Sequence, residues 1–112
     1  MAGAKLIVIY PTPKDVAAFE RAYGNEHLPM AAPIFDAAGA TKAVLTRIEG
    51  APGTKAPFHR IAEIHFPSLA ALNACAASQP GRDALADAAR ISNGGAPIVL
   101  IASEDVVTFG AG

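Results

Sequence analysis

Between Lys5 and Tyr10 the chain strings together Leu, Ile and Val at odd and even positions alike, and Pro11 ends the run. So short a run cannot hold a stable helix, and apolar side chains at both parities need cover on both faces, so it reads as a doubly buried strand. Ile98 to Ala102 repeats the pattern late in the chain. Two strands of this kind require a layer on each side of whatever sheet contains them.

What lies between them alternates in period. Thr12 can cap a helix, Pro13 suits the first helical position, and Asp15 completes a weak capping box. Val16, Phe19 and Tyr23 then form an apolar stripe, and Gly24 punctuates it. Asn25 caps a further short piece carrying Glu26, His27 and Leu28, while Pro29 and Pro33 restrict helix there to bent or single-turn segments. Thr41 to Glu49 alternates as a second strand and ends at Gly50-Ala51-Pro52-Gly53. Phe58 to Phe66 is a third, with His59, Ile61, Glu63 and His65 on one face and Phe58, Arg60, Ala62, Ile64 and Phe66 on the other. Strands two and three make an antiparallel hairpin. Ser68 caps a second helix whose Leu69, Leu72 and Cys75 share a face, and Pro80-Gly81 stops it. Arg82 to Ile91 is one more short helical segment, and Asn93-Gly94-Gly95-Ala96-Pro97 turns into the fourth strand. Ser103 to Phe109 either extends that strand after a kink or forms a separate edge piece.

The order strand, helix, strand, strand, helix, strand is the ferredoxin-like βαββαβ arrangement of the α+β class, a four-stranded antiparallel sheet with its helices on one face. The 112 residues, 52% apolar with a mean hydropathy of +0.31, suffice for one packed domain spanning 1–112. Helices on one face leave the other bare, and an apolar sheet face of several hundred Å² exceeds what soluble monomers usually expose. A symmetric homodimer, sheet against sheet, is the expected cover, forming a dimeric α+β barrel. Nine basic and ten acidic residues, mixed along the chain for a net charge of −1, provide no footprint for nucleic acid or an acidic membrane. No apolar run approaches the roughly 20 residues that span a bilayer. One cysteine, Cys75, and no signal-like leader place the expected location in a reducing cytoplasm.

The chain resembles the EthD family, named for ethyl tert-butyl ether degradation, within the dimeric α+β barrel superfamily. The resemblance rests on Val8-Ile9-Tyr10-Pro11 with Pro13, Asp15 and Phe19, on Tyr23 to Pro29 with its His-x-Pro, on Ile61 to Phe66 with Ser68-Leu69-Ala71-Leu72, and on Asn93-Gly94-Gly95. It covers nearly the whole chain, and implies a homodimeric barrel with a pocket between sheet and helices. Superfamily relatives include isomerases, cyclases, monooxygenases and dehydratases, so the fold does not choose the reaction. His65 stands where many family members carry an aromatic residue, which makes this chain's cavity more polar if the ring points inward.

The candidate catalytic residues are His27, Glu63 and His65. An imidazole exchanges protons near neutrality, and Pro29 restrains the backbone beside His27; its structural alternative is to hydrogen-bond a loop carbonyl. Glu63 and His65 share a strand face with Cα atoms roughly 6.5 Å apart, close enough to meet one ligand. His59 has the same parity but lies roughly 20 Å from His65 along the strand, too far to share a metal ion. His27 with Glu63 and His65 is a remaining metal combination, although no metal or cofactor is expected. Tyr10, at the end of the first strand, and Arg47, beside Arg60, are candidate ligand-binding residues, against packing and ion-pairing roles. Asn93-Gly94-Gly95 lacks the following helix of a phosphate loop. Two readings follow. One is cofactor-free proton-transfer catalysis, such as isomerisation, cyclisation or dehydration, on a small apolar oxygen-bearing metabolite. The other is a non-catalytic carrier of such a ligand or an accessory to an oxygenase.

Overall fold

The structure, a computed structural model, describes residues 3–110. Its strands are β1 (Gly3–Pro11), β2 (Lys42–Arg47), β3 (Phe58–Phe66) and β4 (Ile98–Glu104), paired antiparallel in the order β2-β3-β1-β4. Between β1 and β2 run α1 (Val16–Ala22), a π-helical turn (Tyr23–His27) and α2 (Leu28–Ala37); between β3 and β4 run α3 (Leu69–Ala77) and α4 (Gln79–Ile91). This is the expected ferredoxin-like sheet with helices on one face. Ala4, Leu6, Val8 and Tyr10 of β1 and Ala62, Ile64 and Phe66 of β3 form one core cluster with Phe19, Tyr23, Leu72, Cys75, Ala88 and Ile91 from the helical layer.

The opposite face is bare in the single chain. Its rows run Val44–Glu63–Ile7–Leu100 and Thr46–Ile61–Ile9–Ile98 across the four strands. Val44, Ile98 and Leu100 are exposed there.

Local structure departs from expectation in five places. Asp15, not Thr12, is the N-cap of α1, accepting a hydrogen bond from the Ala18 N–H at 2.9 Å. The Thr12 hydroxyl instead donates to the Ala56 carbonyl. Gly24 and the two prolines do not break the helix. The Leu28 N–H reaches back to the Tyr23 carbonyl, a π-type bond, and this wider turn relieves the clash that Pro29 would make with the carbonyl four residues earlier. Pro29 then occupies the first turn of α2, where its missing N–H is harmless, and exposed Pro33 sits inside the helix.

Pro80-Gly81 begins a helix instead of stopping one. Ser78 Oγ accepts from the Gly81 N–H, capping a 13-residue α4 with Pro80 in its first turn. Leu69 lies off the buried face of α3, which is Leu72 and Cys75. The fifth departure is a β-bulge: Tyr10 pairs with Arg60 but Pro11 with Phe58, leaving His59 without a partner on β1. The extra residue turns His59 toward the helices, so it does not share the face of Glu63 and His65. After Glu104 no regular element follows through Gly110, and Val106, Val107 and Phe109 are exposed.

Candidate functional site

The π turn sets the site. Tyr23 and His27, four residues apart along it, share its inward side, both buried, with rings stacked at 6.1 Å and 19°. Tyr10, reaching up from the sheet, packs edge-on against Tyr23 at 5.6 Å and against Phe19 at 5.1 Å. Tyr10, Tyr23 and His27 line a cavity of about 390 Å³ between the sheet and the helical layer. The rest of its lining is mostly apolar, with Val8, Leu45 and Ile64 from the sheet, Leu28 and Phe35 from α2, and alanines such as Ala31, Ala62, Ala84 and Ala88, joined by exposed Asp36, Thr41 and Lys42.

His27 is held from behind. Its Nδ1 lies 2.9 Å from Asp87 Oδ2 on α4, and the other Asp87 oxygen accepts from Arg90 Nε at 2.7 Å. The Arg90 guanidinium, then the imidazole, holds the Asp87 carboxyl below its usual range, so it is a carboxylate at neutral pH. An acceptor at that position places the proton of a neutral imidazole on Nδ1 and leaves Nε2 as a free lone pair. No described residue hydrogen-bonds Nε2.

Burial pushes the Tyr10 and Tyr23 phenols up, so both are neutral hydroxyls. A second ionic cluster braces the wall from outside. Glu20 on α1 accepts from Arg60 Nε and Nη2 at 3.1 and 2.7 Å, meets His59 Nε2 at 3.2 Å, and lies 3.6 Å from Arg47.

An EthD domain profile matches residues 12–95, three quarters of the chain. The chain belongs to the EthD family. A crystal structure of an EthD family protein from Bacillus halodurans C-125 superposes with a TM-score of 0.81 at 26% identity, covering 92% of this chain and 99% of that one. An uncharacterised 11.0 kDa protein of the thcB-thcC intergenic region of Rhodococcus erythropolis is 26% identical over 92% of this chain and 97% of its own length. A dimeric ferredoxin-like protein of unknown function from Jannaschia sp. CCS1 shares the fold at a TM-score of 0.66 and 17% identity, covering 95% of this chain and all of that one.

In this EthD chain the residues singled out from sequence fall into three places. Tyr10 and His27 meet in the cavity. Glu63 and His65 do not join them: they lie on the bare face of the sheet, because their parity on β3 is that of Ile61 and not of the pocket-lining Ala62 and Ile64. There Lys5 Nζ bridges Glu63 and Glu104, and His65 Nδ1 is 3.2 Å from Glu104 Oε1. The His27, Glu63, His65 combination therefore does not converge, and among the described residues no three His, Cys, Asp or Glu side chains come together as a metal site. Arg47 is half-exposed and faces Glu20 outside the cavity wall.

Two contributors escaped the sequence reading. Asp87 lies three residues after Ala84 and four before Ile91, on the flank of the α4 stripe, where a carboxylate needs a partner. Tyr23 stands in the sequence as part of an apolar stripe and of the Tyr23 to Pro29 motif, not as a cavity residue. No helix among the described residues is long and apolar enough to cross a membrane.

Proposed function

We propose that the cavity binds a small, hydrophobic, oxygen-bearing metabolite and that His27 exchanges a proton with it, without a cofactor. The observation that carries this reading is the Asp87–His27 pair at the wall of a mostly apolar cavity: the carboxylate orients the ring, leaving Nε2 to act. The mostly apolar walls lower the local dielectric, which strengthens electrostatic contacts inside. At about 390 Å³ the cavity suits a compact ligand near the lower end of small-molecule pockets. Tyr10 supplies a hydroxyl from the sheet side. Glu63 and His65, by their position, serve the bare face instead.

That face is proposed to bury against a second copy, as a largely apolar surface carrying the ion-paired Lys5, Glu63 and Glu104 is better suited to a self-complementary interface than to solvent. The related Jannaschia protein is itself described as dimeric.

The test is a panel of neutral phenols, ketones and lactones, screened for binding by saturation-transfer NMR and for conversion by mass spectrometry. A member of the panel is expected to bind and be converted, and His27→Gln should keep the binding and lose the conversion. Conversion undiminished by His27→Gln would reject the assignment, and binding without conversion by the parent protein would make it a carrier.

A further inference from the structure

We propose that two copies join their bare faces about a two-fold axis running along the strands, so that Lys42 of each protomer pairs with Glu104 of the partner subunit; the inference rests on the self-association reading above and deepens it. The bare face changes character from one end to the other. Its charged side chains gather at the end where β2 begins and β4 finishes: the row Lys42–His65–Lys5–Ala102, with Glu104 one row beyond it and Glu63 one row inward. Val44, Ile7 and Leu100 accompany Glu63, and the next row, Thr46–Ile61–Ile9–Ile98, carries no charge. Within the protomer Lys5 holds Glu63 and Glu104, and His65 also meets Glu104. Lys42 is exposed and has no ion-pair partner among the described residues.

This gradient restricts how the face can meet its own copy. A two-fold axis across the strands would turn one copy end for end and lay His65 and Lys5 over Ile61 and Ile9 of the partner subunit. A right-angle crossing would lay the same charged row along an edge strand, over Leu100 or Val44 of the partner subunit. Either arrangement buries charge against hydrocarbon, which is costly without a partner. An axis along the strands, through the middle of the sheet between β3 and β1, keeps the two charged ends together and exchanges the edges instead. β2 of one copy then lies over β4 of the other, and β3 over β1. Apolar groups meet: Val44 lies over Leu100 of the partner subunit, and Ile61 over Ile9 of the partner subunit.

Charge is complementary in the same arrangement. The charged end of each copy carries two lysines and two glutamates, Lys5, Lys42, Glu63 and Glu104, so two such ends meet without net repulsion. Lys42 lies opposite Ala102 of the partner subunit, with Glu104 of the partner subunit one row away. Packed sheets stand roughly 10 Å apart, a gap that a lysine and a glutamate extended toward each other can close. Each Glu104 oxygen has a lone pair left after Lys5 and His65 are bound. Symmetry repeats the contact at both edges. Because Lys42, Ala43 and Leu45 of the same edge strand also line the cavity, the partner braces one wall of each pocket.

The experiment is charge exchange between subunits, read by sedimentation equilibrium and native mass spectrometry on the full-length parent protein, Lys42→Glu, Glu104→Lys and an equimolar mixture of the two variants with one of them labelled with nitrogen-15. Each variant alone sets like charges together at both edges of a homodimer, and should weaken self-association about 10-fold. A heterodimer of the two has opposite charges at both edges, one pair in the parental sense and one reversed. The mixture should therefore associate more tightly than either variant alone, with heterodimer above the half expected of random pairing. Circular dichroism checks that each protomer is folded, and Lys42→Glu, at an exposed edge position, tests the contact even where Glu104→Lys disturbs its own Lys5. Parental affinity in Lys42→Glu would overturn the contact. Weakened variants with no gain on mixing would overturn the axis and leave self-association standing, whereas a parent monomeric at micromolar concentration would overturn the self-association reading itself.

Discussion

His27 shows how much a single side chain's role depends on its neighbours. Its sequence context, an imidazole two residues before a proline, named it as a candidate but left open a structural bond to a loop carbonyl. Its observed partner is the Asp87 carboxylate, sixty residues away, whose place beside it depends on α4 packing across the π turn. Replacing Asp87 with Asn keeps the shape but removes the obligate acceptor, so the amide can donate to Nδ1 and drive the proton to Nε2. The turnover of Asp87→Asn should fall by roughly 100-fold, within the usual range for losing a general base. Imidazole nitrogen shifts of His27 should report the other tautomer while circular dichroism stays parental. Unaltered turnover with the parental tautomer would show that Asp87 does not position the ring.

The elements divide by how locally they are specified. β1 and β3 were legible because apolar runs and alternation bounded by Pro and Ser need no distant information. The Ser68 cap was legible for the same reason: its hydroxyl accepts from the Ala71 N–H three residues on. Proline was the misleading signal, since the same residue ends a helix when it falls inside and opens one when it falls in the first turn.

Pro80-Gly81 opens α4 because Ser78 caps it, and this junction makes a sharp prediction. An added methyl at Gly81 would overlap the Cys75 carbonyl oxygen, an atom of the backbone that cannot swing aside. Ala is favoured over Gly in helices by about 1 kcal/mol, but overpacking against rigid backbone typically costs about 1–3 kcal/mol. Gly81→Ala should therefore destabilise the protein, read as a lower urea midpoint. A raised midpoint would mean that α3 and α4 can separate at no cost.

At the scale of the whole molecule, one face of the sheet forms the core and cavity, and the other remains open. Leu100 lies half-exposed on the edge strand β4 of the open face, beside Ile7 on β1. Leu100→Lys should abolish a homodimer without much effect on the protomer, since surface substitutions usually change stability by only about 0.5 kcal/mol. Analytical ultracentrifugation should find the parent protein dimeric and the variant monomeric. A parent that sediments as a monomer at micromolar concentration would refute the face as a self-association surface. Residues Glu63 and His65 belong to this prediction more than to the pocket, because one step in register separates the two faces.

From its residues alone the chain determined the order of elements, the single helix-covered face and the surplus of apolar surface on the other, since each follows from periodicity and capping within a few positions. Tertiary structure decided which polar groups meet. The π turn, the bulge at His59, and the approach of Asp87 to His27 and of Arg60 to Tyr23 depend on contacts between elements distant in sequence, and no local pattern encodes the angle at which two packed elements present their side chains.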